Sequence, residues 1–93
     1  METQLRWKKQ AAADQEKIAN YLIAKTPERA AELVRGIYDA PTALATFPYR
    51  GRLESKQGTR ELVLSPLPYI VVYQARGETV HVVRILHGAQ KWS

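Results

Sequence analysis

The stretch that decides the fold is Gly58–Ser93, GTRELVLSPLPYIVVYQARGETVHVVRILHGAQKWS. It holds three apolar runs separated by two turn signals, Ser65-Pro66-Leu67-Pro68 and Ala75-Arg76-Gly77-Glu78. Thr59–Leu64 alternates, with Arg60, Leu62 and Leu64 on one face and Glu61 and Val63 on the other, which predicts a half-buried strand. Tyr69–Gln74 is apolar on both faces and predicts a central strand. Gly77 supplies a residue tolerant of positive φ for a hairpin turn. Thr79–Leu86 then returns as a strand with Val80, Val82, Arg84 and Leu86 set against His81, Val83, Ile85 and His87. The run carries Arg60, Arg76, Arg84 and Lys91 with both histidines, so it reads as a small antiparallel sheet with a basic surface.

Working outward, Pro48–Gly58 is polar, basic and aperiodic and reads as an exposed loop. Before it the period becomes helical. Ala11, Ile18 and Leu22, with Ala12, Ala19 and Ile23 beside them, mark a helix over Gln10–Lys25. Thr26-Pro27-Glu28 predicts a restart, with Thr26 as a cap and Pro27 at the first helical position. Ala30, Leu33, Val34, Ile37 and Leu44 form the stripe of the second helix, and Pro41 predicts a pause near Ala40. The short link makes the two helices an antiparallel hairpin. Residues 2–7 alternate as a short strand, with Leu5 and Trp7 on one face. The expected class is therefore α+β in the order β-α-α-β-β-β, an antiparallel sheet with the hairpin on one face and the other face open to solvent or a partner.

At 93 residues the chain reads as one domain, 1–93, and its 45% hydrophobic content supports a thin but real core. The lack of cysteine excludes disulfides, thiolate metal sites and a cysteine nucleophile, and two histidines make no convincing zinc site, so neither metal nor cofactor is expected. No apolar run reaches bilayer length and the first ten residues lack a signal-peptide core, so a soluble cytoplasmic protein with no membrane partner is expected. The net charge of +5 is uneven, with +1 over residues 1–49 and +4 over 50–93. That excess favours acidic or nucleic-acid partners.

Four motifs in order resemble one family. They are Pro48-Tyr49-Arg50-Gly51-Arg52, Gly58-Thr59-Arg60-Glu61-Leu62, Pro68-Tyr69-Ile70-Val71-Val72-Tyr73, and Val83-Arg84-Ile85-Leu86-His87-Gly88-Ala89-Gln90-Lys91-Trp92. This pattern is similar to the RelE/ParE superfamily of toxins from type II toxin–antitoxin systems, and the order of elements agrees with that family's fold. The resemblance implies a growth-arresting toxin neutralised by a cognate antitoxin that folds over it in a hetero-oligomer. It also implies one of two actions: inhibition of DNA gyrase, as in ParE-like members, or cleavage of mRNA on the ribosome, as in RelE-like members. A third reading is a non-toxic, antitoxin-binding co-repressor module.

Metal-free RNA cleavage needs a general base, a general acid and positive charge on the phosphorane. The candidates for that set are His87, Arg60 and Arg84, with His81, Glu61 and Glu54 as further titratable groups. Three departures from the nuclease pattern favour the ParE-like reading. Ile70 stands where nuclease members carry arginine, the tail ends Trp92-Ser93 without a tyrosine, and Glu28, Glu32 and Asp39 dilute the second helix's charge. Target binding is assigned to Arg50, Arg52, Lys56, Arg60, Lys91 and Trp92, because the Arg50–Lys56 loop gathers three cations in seven residues. Three of the candidates have a plainer role beside this one: Arg60 in a strand-end salt bridge, His87 closing the last strand, and Trp92 anchoring the tail. Tyr69 and Tyr73 read as core aromatics.

Overall fold

The computed structural model describes residues 3–53 and 58–88. Lys56, Lys91, Trp92 and Glu54 lie outside the described residues. The elements are β1 (Gln4–Trp7), α1 (Lys9–Lys25), α2 (Ala30–Asp39), a 3-10 segment (Ala40–Ala45), β2 (Arg52–Leu53), β3 (Arg60–Val63), β4 (Tyr69–Arg76) and β5 (Thr79–His87). They form one five-stranded sheet in the order β1-β5-β4-β3-β2, with the two helices packed against it.

Strands β2 to β5 are antiparallel, as expected, but β1 joins β5 in parallel, so the sheet is mixed. A parallel neighbour requires a crossover, and the sheet-packed helices lie between β1 and the other strands. The register places Leu5 beside Val80 and Trp7 beside Val82. The loop expected over Pro48–Gly58 contains the short edge strand β2, paired through Arg52 with Glu61 and Leu53 with Arg60.

Tyr69, Val71 and Tyr73 of β4 and Val80, Val82 and Ile85 of β5 meet Ala11, Leu22, Ala30, Ile37 and Leu44 in the core. The even alternation expected along β5 breaks between Val82 and Arg84. A register shift there lets Tyr73 pair with Val82 and Val72 with Arg84, so Val82 and Ile85 share the core face. The extra residue, Val83, acts as a bulge and changes which side chains face the helices.

The two-faced apolarity of β4 has its counterpart in Val72, which is 0% exposed on the face away from the helices. The sheet is therefore not uniformly open there. Val72 sits on one rung between Arg84 and Glu61, whose long stems flank it.

Thr26 does not cap the second helix. Its hydroxyl donates back to the Leu22 carbonyl at 3.1 Å, and its own carbonyl accepts from Arg29 N–H at 3.0 Å. Pro27–Arg29 is thus spent as a turn, and α2 begins at Ala30. It stops at Asp39, and Pro41 sits in the tighter 3-10 segment, the pause its missing N–H demands. Ile23, assigned to the apolar stripe of α1, is instead 57% exposed. Gly77 adopts φ +56° in the β4–β5 turn.

Candidate functional site

The basic loop leaves the 3-10 segment through Thr46 and Phe47, whose N–H groups both donate to Ala43 carbonyl oxygen. Arg50 N–H then donates to Phe47 carbonyl at 3.1 Å. The next residue fastens the loop to the sheet. Gly51 N–H donates to the Tyr73 hydroxyl at 2.7 Å, and Gly51 is buried. Only glycine fits this approach without a shift, because a Cβ there would lie 2.6 Å from Tyr73 Oη and 2.8 Å from Glu61 carbonyl oxygen.

Arg60, which pairs with Tyr73 across the β3–β4 ladder, completes the attachment. Its guanidinium donates to Gly51 carbonyl at 3.0 Å, lies 3.5 Å from Tyr49 carbonyl, and sits over the Tyr49 ring at 4.9 Å from the centroid. Burial pushes the Tyr73 phenol above its ordinary range, opposed by the Gly51 N–H and the Arg60 charge. Tyr73 thus presents a neutral hydroxyl to the loop.

Above this base lie two exposed aromatics, Phe47 at 61% and Tyr49 at 65%. With Thr46, Pro48 and Arg50 they line an open groove of about 650 Å³. Arg52 extends outward from β2, 78% exposed, with Glu61 Oε1 at 3.6 Å. Of the assigned target-binding residues, Arg50, Arg52 and Arg60 therefore share one loop-centred region, and Arg60 faces inward as its fastening.

The three nuclease candidates are not brought together. Arg84 is held in a bidentate pair by Asp14 of α1, which raises its already high pKa further. By register it pairs with Val72, and its guanidinium reaches α1 at the β5 edge of the sheet, whereas Arg60 pairs with Tyr73 on the other side of β4. His87 pairs with Tyr69, four residues along β4 from Tyr73, and the two partners lie on opposite sides of β4. Strand geometry then sets Arg60 and His87 ~16 Å apart at Cα. His87 instead meets the Tyr69 ring edge-on at 5.9 Å and lines a second cavity of about 410 Å³ with Lys17, Ile18, Tyr21, Leu33 and Leu67.

Sequence reasoning missed Asp14, Gly51 and Tyr73 as determinants of this region, and also Phe47 and Tyr49. The Pro-Tyr-Arg-Gly-Arg run was visible, but its cations drew the reading and its glycine and aromatics did not.

The described residues contain no helix long and apolar enough to cross a membrane. The chain is 35% identical over 88 residues to a toxin candidate, Y4kP, from Sinorhizobium fredii, covering 95% of this chain and 91% of that protein. It is 37% identical over 87 residues to Toxin RelE2 from Caulobacter vibrioides, covering 94% of this chain and 97% of that protein. Among solved structures it superposes on a chain from the chromosomal ParDE toxin–antitoxin system of P. aeruginosa with a TM-score of 0.82, at 26% identity, over 91% of this chain and 95% of that one. The family described as the ParE toxin of the type II toxin–antitoxin system parDE matches residues 5–92. With the fold and nearly the whole length in agreement, the chain belongs to the ParE toxin family, within the RelE/ParE superfamily of type II toxins.

Proposed function

We propose that the protein arrests bacterial growth by binding and inhibiting DNA gyrase in the cytoplasm, and that a cognate antitoxin silences it by folding over it in a hetero-oligomer. The observation that carries this choice is the commitment of Arg84 to Asp14 at the β5 edge of the sheet, with β4 between it and Arg60. An RNA-cleaving centre would need that charge near a proton donor and acceptor around one phosphate. The loop around Arg50 supports a binding role, since it offers exposed aromatic and cationic groups on a fixed base. The ParDE assembly of the structural relative supports an antitoxin partner, and the net charge of +5 suits an acidic one.

The test is a supercoiling assay with purified toxin and gyrase. Inhibition at low micromolar toxin that purified antitoxin relieves is the expected result, and full supercoiling at that concentration would remove the gyrase reading. The relative named RelE2 motivates the second reading, a ribosome-dependent endoribonuclease. New mRNA 5′ ends after induction, lost in His87→Ala or Arg60→Ala, would establish it. Induction with no effect on growth would favour the co-repressor module.

A further inference from the structure

Phe47 and Tyr49 are both more than half in water, on a loop tied to the sheet through Gly51 and Arg60. We propose that Phe47, Tyr49 and Arg50 are the contact surface for the toxin's protein target, and that Arg60 is its positioning residue. The target patch is inferred to be an acidic surface offering an apolar anchor. This proposal rests on the reading that the toxin acts by binding a protein.

The geometry separates contact from support. Tyr49 has the Arg60 guanidinium on one side, 4.9 Å from the ring centroid, so the ring is held in one orientation. The same guanidinium bonds Gly51 carbonyl, and Gly51 N–H is fixed on Tyr73. Phe47 is anchored through its N–H to Ala43 at 2.9 Å. The backbone that carries both rings is therefore placed before binding, and the Tyr49 ring has a cation packed against it, which lowers the ordering cost of the contact. Tyrosine and arginine are also the residues that dominate binding energy where they are centred and desolvated.

Charge identifies the partner's chemistry. Arg50 makes no side-chain ion pair or hydrogen bond among the described residues, whereas Arg52 beside it already has Glu61 at 3.6 Å. Arg50 thus awaits an anion from outside. A single-stranded nucleic acid fits less well. Its backbone needs a row of cations along the groove, and the walls here are Thr46, Phe47, Pro48 and Tyr49, with Arg50 alone supplying charge.

The experiment compares Phe47→Ala, Tyr49→Ala, Tyr49→Phe, Arg50→Glu, Arg60→Ala and Arg60→Lys in full-length toxin. The readouts are gyrase inhibition and growth arrest on induction, with circular dichroism and thermal unfolding confirming each fold. Phe47→Ala, Tyr49→Ala and Arg50→Glu should each raise the half-inhibitory concentration about tenfold or more, and Tyr49→Phe less than about twofold. Arg60→Lys should behave like Arg60→Ala, because lysine lacks the planar fork, and both should speed amide exchange at Gly51. A folded Phe47→Ala/Tyr49→Ala double variant that arrests growth like the wild type overturns the surface. Micromolar binding of a single-stranded oligonucleotide that depends on Tyr49 overturns the protein partner. Wild-type toxin that arrests growth without touching gyrase overturns the gyrase reading alone, and the growth readout then still judges the surface.

Discussion

Asp14 of α1 closes the edge of the sheet by gripping Arg84 of β5. Arg84 Nε donates to Asp14 Oδ2 at 2.6 Å and Nη2 to Oδ1 at 3.1 Å, while Oδ2 also accepts Ile85 N–H at 3.0 Å. Strand β1 follows β5 only as far as Val82, where Lys8 N–H makes the last bond. The carboxylate thus takes over from a strand where pairing ends, and it satisfies a backbone donor that an open edge would leave unpaired.

Asp14→Ala should therefore destabilise the fold by about 2–3 kcal/mol, since both side chains are less than a quarter exposed, at 22% and 12%, and Arg84 is left without its anion. Chemical denaturation measures this. Arg84→Ala should cost less, because Asp14 keeps the Ile85 N–H. A double-mutant cycle should return a coupling of about 1 kcal/mol or more, and additive losses would show that the pair is not coupled.

Gly51→Ala should cost about 1–3 kcal/mol through overpacking against Tyr73 and the Glu61 carbonyl. Tyr73→Phe should cost a similar amount for a different reason, the buried Gly51 N–H left without an acceptor. The two changes act at one contact, so the double variant should lose less than their sum.

Alkaline pH should weaken the fold. Burial raises the Tyr69 phenol above the ordinary 10.0, with Tyr21 adding to it, and burial likewise raises Tyr73. The folded state then holds these protons more tightly than the unfolded chain does. Their contribution is complete below pH about 10 and is lost as pH rises through the higher folded values. Urea midpoints should fall above that pH, and less steeply in Tyr69→Phe; equal slopes would clear Tyr69 of any part.

Trp7 of β1 stacks on Tyr38 of α2 with centroids 5.7 Å apart and planes 12° from parallel, and this contact joins the first strand to the second helix. Tyr38→Ala should cost about 1 kcal/mol and shift the Trp7 emission toward that of exposed indole. An unchanged emission spectrum would mean that the stack does not persist in solution.

Strands β1, β3, β4 and β5, both helices and the pause at Pro41 were legible in the chain because each is dictated by local periodicity or by proline's missing N–H, whereas the two-residue edge strand β2 was not. The family was legible too, from four motifs read in order. The parallel pairing of β1, the bulge at Val83 and the start of α2 at Ala30 were not, because each depends on which groups meet across tens of residues. Among the candidate site residues, sequence supplied the cations but not their fates. Arg60, Arg84 and Arg50 are chemically alike as letters. Tertiary structure made one a fastening for Tyr49 and Gly51, tied one to Asp14, 70 residues away in sequence, and left one facing outward. The decision lay with partners brought close by folding, since a guanidinium's role is set by the anion, carbonyl or ring within its reach.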